Sequence, residues 1–87
     1  MYEPIVLPPL DTPFAVWLET QPLMERNIRE DLRIIRQCLR ARSYTRFIDG
    51  RDAAQRVRCL ADGAGFVETA SFYYQLYEGF CLRLITL

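Results

Sequence analysis

Apolar residues recur every three or four positions between residues 22 and 42, which is the spacing of one side of an α-helix. The dipeptide Gln21-Pro22 marks the start of this segment. The apolar stripe consists of Met24, Ile28, Leu32, Ile35 and Leu39, widened by Ile34 and Cys38. The pattern predicts one long amphipathic helix, from about Pro22 to Arg42, that buries this stripe.

Arginine keeps the same spacing in this segment. Five arginines follow one another in steps of three, four, three and four: Arg26, Arg29, Arg33, Arg36 and Arg40. At 100° per residue they fall within an arc of about 80° beside the apolar stripe, and we call them the arginine ridge. Glu25 lies one turn from Arg29, and Glu30 lies one turn from both Arg26 and Arg33, so the ridge is expected to be partly neutralised from within.

The segment before this helix predicts little regular structure. Residues 1–10 contain three prolines, which forbid a helix, so we expect an extended N-terminal arm. Pro13 follows Asp11 and Thr12, one or the other of which is expected to be the cap, and it should start one or two turns of helix.

The segment after the long helix predicts a strand and then a second helix. Residues 43–50 fit a short strand that ends at an Asp49-Gly50 turn. The helix that follows is expected to be capped by Asp52 and stopped by Gly63.

The C-terminal segment is rich in aromatic and β-branched residues, which favour strands. It predicts two strands, "SFYYQLY" and "FCLRLITL", joined by a turn at Glu78-Gly79. A helix over residues 68–77 is the alternative, because short apolar runs fit both structures. The predicted fold class is therefore α+β: one small domain over residues 1–87, with one long helix and shorter helices packed on an antiparallel sheet formed mainly by the C-terminal half.

Two tyrosines form a candidate surface on this predicted sheet. In a strand, Tyr73 and Tyr77 point to the same face. Tyrosine near arginine is enriched at protein–protein hot spots, although a half-buried strand tyrosine needs no partner. The last strand, "LRLITL", also predicts self-association into a homodimer by edge-to-edge pairing.

The formal net charge is zero, but the charges are unevenly distributed. All eleven basic residues are arginine, and ten of them lie within residues 26–58 beside only four acidic residues. The segments on either side are acidic. Such segregation produces a locally positive surface on a neutral protein, and the arginine bias is typical of a GC-rich bacterium or its phage.

The sequence offers no candidate catalytic, cofactor-binding or metal-binding residues, so we expect that the protein is not an enzyme. The chain has no histidine for a Ser-His-Asp or Cys-His arrangement and no lysine for a Schiff base or a Walker-type phosphate grip. Three widely spaced cysteines do not form a zinc site and indicate reduced thiols in a cytoplasm. No run approaches the ~20 apolar residues of a membrane span.

These features predict a non-catalytic, regulatory protein-binding module, either an adaptor or an inhibitor. The arginine ridge, Tyr73 and Tyr77 are the expected contacts with another protein that has an acidic surface. A solvated helix face explains the ridge without any partner. The alternative function is nucleic-acid binding through phosphates. It is less favoured because "DGAGFVET", a partial match to an RNA-recognition motif, lacks two of that motif's aromatic residues.

Overall fold

The fold is a set of four α-helices, seen in a computed structural model that describes residues 13–86. The helices are α1 (Pro13–Leu18), α2 (Pro22–Leu39), α3 (Tyr44–Gly63) and α4 (Val67–Thr86). The central helix, α3, packs against both α2 and α4. Short connections make each pair of sequential long helices antiparallel. The predicted extended arm, residues 1–10, lies outside the described part of the chain.

The predicted antiparallel sheet is wrong, because residues 13–86 contain no strand. Residues 43–50 form the connection and first turns of α3, and the Asp49-Gly50 pair lies inside that helix. The two predicted C-terminal strands are the single helix α4, so the helical alternative for residues 68–77 is the correct one. Edge-to-edge pairing of a final strand is excluded for the same reason. The fold class is all-α.

Helical periodicity in the C-terminal half explains this outcome. The buried residues of α3 recur at helical spacing along one side, and they are mostly small: Phe47, Gly50, Ala53, Ala54, Val57 and Ala61. The buried residues of α4 do the same: Ala70, Tyr73, Leu76, Phe80 and Arg83. Strand preference spans only about 1 kcal/mol per residue, whereas burying one large apolar side chain contributes about 1.5–3 kcal/mol. Burial on a helical face therefore outweighs local preference.

Both ends of α3 have recognisable capping structures. Ser43, rather than the predicted Asp52, is the N-cap, and its hydroxyl accepts a hydrogen bond from the Arg46 backbone N–H at 3.3 Å. At the other end, Gly65 has a φ of +87°. The N–H of Phe66 donates to the carbonyl of Ala61 at 2.8 Å, closing a Schellman motif. The predicted end of this helix at Gly63 is confirmed.

The short helix α1 packs against the turn between α3 and α4. Its start at Pro13 matches the prediction. The ring of Phe66, which follows Gly65, lies 5.5 Å from the ring of Phe14 and 5.6 Å from that of Trp17, measured between centroids. This aromatic cluster closes one end of the core.

The long helix α2 buries most of its predicted stripe. Ile28, Leu32 and Ile35 are in the core, whereas Met24 at the start of the stripe is 42% exposed. The helix ends at Leu39, three residues before the predicted end. Its sequence pattern therefore predicts its existence and orientation correctly.

One polar contact fixes α2 against α3. Asp31 lies within the buried side of α2, and its Oδ1 accepts hydrogen bonds from Arg56 Nε at 3.0 Å and Nη2 at 2.8 Å. The ion pair explains why a carboxylate is tolerated at this position, since a buried charge requires a partner. By holding this side of α2 against α3, it turns the opposite side to solvent.

Candidate functional site

The arginine ridge lies on the solvent side of α2. All five of its residues are exposed: Arg26, Arg29, Arg33, Arg36 and Arg40. The first four are within the helix and Arg40 is its C-cap. Because the opposite side of α2 faces the core, the five side chains project from one surface.

The middle of the ridge is paired with the protein's own carboxylates, as the spacing predicts. Arg29 Nε donates to Glu25 Oε1 at 2.8 Å, and Arg33 Nε donates to Glu30 Oε2 at 3.0 Å. The hydrogen bond from Arg33 holds the pKa of the Glu30 carboxyl below its usual value. These two guanidinium groups are therefore already engaged.

The arginines at the two ends of the ridge, unlike those in its middle, have no ion-pair partner among residues 13–86. They are Arg26, Arg36 and Arg40. Arg26 and Arg36 are ten residues apart, about 15 Å along a helix axis. The ridge is thus a surface with a neutralised centre and positive charge at both ends.

The two tyrosines predicted as partner contacts are not on a common surface. Tyr73 is only 3% exposed and belongs to the core, so it offers no contact area in this fold. Tyr77 is half-buried and stacks on Tyr74, with 6.2 Å between ring centroids. The strand geometry assumed for these residues placed them on one open face, whereas the helix turns Tyr73 inwards.

The buried position of Tyr73 predicts a pH dependence of stability. Burial raises the pKa of its hydroxyl to about 12, and the charge of Arg36 opposes that shift. Above pH 10 the unfolded chain releases this proton before the folded protein does, so stability falls as pH rises towards 12. At pH 11 this group is expected to cost about 1.4 kcal/mol relative to pH 9. Urea unfolding at both pH values measures the loss.

The control for this measurement is Tyr73→Phe, which removes the hydroxyl and keeps the ring. The pKa values of the Cys38 thiol, raised by burial, and of Tyr77, raised by a hydrogen bond with Cys81, contribute in both proteins. The variant should lose less stability than the parent between pH 9 and pH 11. Equal losses in the two proteins would show that Tyr73 does not titrate as expected.

A second surface, which sequence reasoning missed, lies on α4. Four apolar or aromatic side chains are exposed there: Val67 (71%), Tyr74 (47%), Leu82 (63%) and Ile85 (79%). The guanidinium of Arg58 on α3 lies over the Tyr74 ring, 5.6 Å from its centroid. With 100° per residue, the four α4 positions and Glu78 share an arc of about 80°, a signal visible only once a helix is assumed.

Metal and membrane sites receive no support from the described residues. Between residues 13 and 86, no three cysteine, aspartate or glutamate side chains lie close enough together to hold a metal ion. None of the helices in that range combines the length and apolar character needed to cross a bilayer. The expected lack of catalysis stays a prediction.

Comparisons with known proteins return no match: no protein-family model, no curated protein and no solved structure is similar to this chain.

Proposed function

We propose that this protein is a non-catalytic protein-binding module that docks an acidic surface of another protein on the arginine ridge. The observation that supports the proposal is the exposure of Arg26, Arg36 and Arg40 on one side of α2 without an ion-pair partner among residues 13–86. Unpaired guanidinium groups bind carboxylates through two parallel hydrogen bonds.

The pairing within the ridge defines the acidic partner more closely. Glu25 and Glu30 neutralise Arg29 and Arg33, so the centre of the ridge gains little from an added carboxylate. The expected partner presents carboxylates to the two ends of the ridge, with a span of about 15 Å between them. Charges placed in this way set register and encounter rate more than raw affinity.

The proposal describes an adaptor or an inhibitor, since docking needs no chemistry from this chain. A cytoplasmic location forms part of it: Cys38, Cys59 and Cys81 are all free thiols, which is the usual state in a reducing compartment.

Nucleic-acid binding is the competing proposal for the same ridge. Five arginines along one helix side suit phosphates. Stacking would have to come from exposed aromatic rings, which among the described residues are Tyr44 and Tyr74, and neither of them lies on α2 with the ridge. The protein partner is therefore favoured, and an oligonucleotide is an outcome of the test.

The test compares two variants with equal loss of charge. Arg26→Gln with Arg36→Gln alters both ends of the ridge. Arg42→Gln with Arg46→Gln also removes two exposed arginines, but from the connection after α2 and the start of α3. Both double variants and the parent protein are used for affinity purification from nuclease-treated extract of the native host, followed by quantitative mass spectrometry.

We expect at least one acidic protein to be retained by the parent and by the Arg42/Arg46 variant and lost from the Arg26/Arg36 variant. Equal recovery of every protein by both variants would contradict docking on the ridge. Binding of the purified parent to an oligonucleotide, weakening steeply with salt and lost in the Arg26/Arg36 variant, would support the competing proposal instead.

A further inference from the structure

The outer face of α4 is a second unpartnered surface, independent of the ridge. It consists of six exposed side chains: Val67, Ser71, Tyr74, Glu78, Leu82 and Ile85. Four of them are apolar or aromatic and form what we call the apolar strip, whereas Ser71 is polar and Glu78 is charged. Several exposed apolar side chains along one side of a helix in a small domain are typical of an interface.

The charges around this face are complementary to one another. Glu78 forms no ion pair with any residue between 13 and 86. The guanidinium of Arg58 has no carboxylate partner in that range either; it donates to Gln55 Oε1 at 3.1 Å and lies over the Tyr74 ring. Glu78 and Arg58 therefore flank the same apolar strip, and Asp62, one turn after Arg58 on α3, adds a second carboxylate to the groove beside it.

Antiparallel pairing of two such faces brings these charges together. If two copies of α4 pair antiparallel through their outer faces, with the two-fold axis level with Leu76 along the helix, Val67 of one copy lies opposite Ile85 of the other, and Tyr74 lies opposite Glu78. Since Arg58 covers Tyr74, Glu78 of the second copy arrives beside Arg58. Two-fold symmetry produces this pair twice.

The surface shape fits the same arrangement. A groove of about 290 Å³ between α3 and α4 is lined by three apolar or aromatic and three polar or charged side chains: Val67, Ala70, Tyr74, Arg58, Asp62 and Ser71. In the antiparallel register, the exposed Leu82 of the second copy lies opposite Ala70 and points towards this groove. An apolar side chain of one copy thus meets a recess of the other beside Val67, Ala70 and Tyr74, which is how helix interfaces interlock.

From the apolar strip, the groove and the complementary charges, we propose that a second copy of this chain docks on the outer face of α4, forming a symmetric antiparallel dimer with reciprocal Arg58–Glu78 pairs. The interface centres on one helix per copy, which is small against the standard size of about 800 Å² per partner. We therefore expect a weak dimer that dissociates on dilution. The dimer exposes two arginine ridges.

A charge exchange tests this proposal. The molar mass of the purified chain is measured by light scattering over a concentration series for the parent, Glu78→Arg, Arg58→Glu and the double variant Arg58→Glu/Glu78→Arg. The matched control is Glu68→Arg, which makes the same charge change on an exposed site of α4 about 80° away from Glu78. Thermal unfolding confirms that each variant is folded.

We expect the parent and the Glu68 variant to dimerise, each single reversal to weaken dimerisation at least about tenfold, and the double variant to recover it. A parent that stays monomeric at every concentration would overturn the proposal. Single reversals that dimerise like the parent, or a double variant that does not recover, would overturn it as well. None of these outcomes depends on the ridge, which is unchanged in every variant.

Discussion

Replacement of Gly50 by alanine is expected to lower the free energy of unfolding by about 2 kcal/mol, although alanine is the better helix former. Gly50 lies in the interior of α3, where α2, α3 and α4 meet. A Cβ atom added there would stand 2.6 Å from the Phe80 ring and 2.8 Å from Cys38 Cβ. Both neighbours are fully buried, so neither has room to withdraw.

The magnitude follows from two opposed effects. Overpacking of a well-packed core costs up to about 3 kcal/mol. Alanine in place of glycine inside a helix returns about 1 kcal/mol. In a domain of this size a net loss of 2 kcal/mol lowers the melting temperature by about 10 °C, which thermal unfolding detects readily.

Gly63→Ala is the matched control for Gly50. Gly63 is also in α3, and a Cβ atom there would have no heavy atom within 4 Å. That variant should match or exceed the parent in stability. A combined Gly50→Ala/Phe80→Leu variant should lose less than the sum of the two single variants, because the shorter side chain relieves the clash. A Gly50→Ala protein as stable as the parent would contradict the close helix packing.

Replacement of Arg83 by alanine is expected to cost about 3 kcal/mol of unfolding free energy. Arg83 is a buried residue of α4 whose guanidinium lies 5.7 Å from the ring centroids of both Phe47 and Phe80. Its Nη1 donates to the carbonyl of Leu39 at 3.4 Å, at the C-terminal end of α2. Alanine removes the packed stem, the two cation–π contacts and a donor to a helix-end carbonyl at once.

Two comparison variants separate these contributions in urea unfolding. Arg83→Met keeps the length of the stem and should cost less than Arg83→Ala. Arg42→Ala removes an exposed arginine and should change stability by less than about 0.5 kcal/mol. An Arg83→Ala protein within the same narrow range as Arg42→Ala would show that the contact between α4 and the end of α2 contributes nothing.

The sequence predicts α2 well because one signal dominates there. Its apolar stripe and its arginines repeat with the same helical period, and the two ion pairs expected from that period are present. The sequence does not predict the ion pair of Asp31, because its partner, Arg56, is twenty-five residues away on another helix. Such a long-range pair has no local pattern.

Residues 43–50 and the C-terminal segment after Gly63 are predicted incorrectly because two local signals favour structures other than a helix. Asp49-Gly50 resembles a turn, yet the glycine is required by the close approach of Cys38 and Phe80 from other helices. The run of aromatic residues resembles a strand, yet Tyr73, Leu76 and Phe80 are buried on one helical side. Tertiary packing outweighed local preference in both cases. The same error placed Tyr73 on the surface.

The two proposed surfaces lie on different helices. The ridge lies on α2, and the outer face of α4 lies beside Arg58 of α3. The Asp31–Arg56 ion pair joins α2 to α3, and the hydrogen bond from Arg83 to the Leu39 carbonyl joins α4 to α2.

The ratio of two dissociation constants tests the central claim most directly. The protein recovered by affinity purification is titrated with the Arg26→Gln/Arg36→Gln variant and with the Arg42→Gln/Arg46→Gln variant, under one salt condition. The account predicts that the ridge variant binds about tenfold more weakly than its charge-matched counterpart, a difference of about 1.4 kcal/mol. Equal dissociation constants would contradict it, because net charge rather than the ridge would then govern binding.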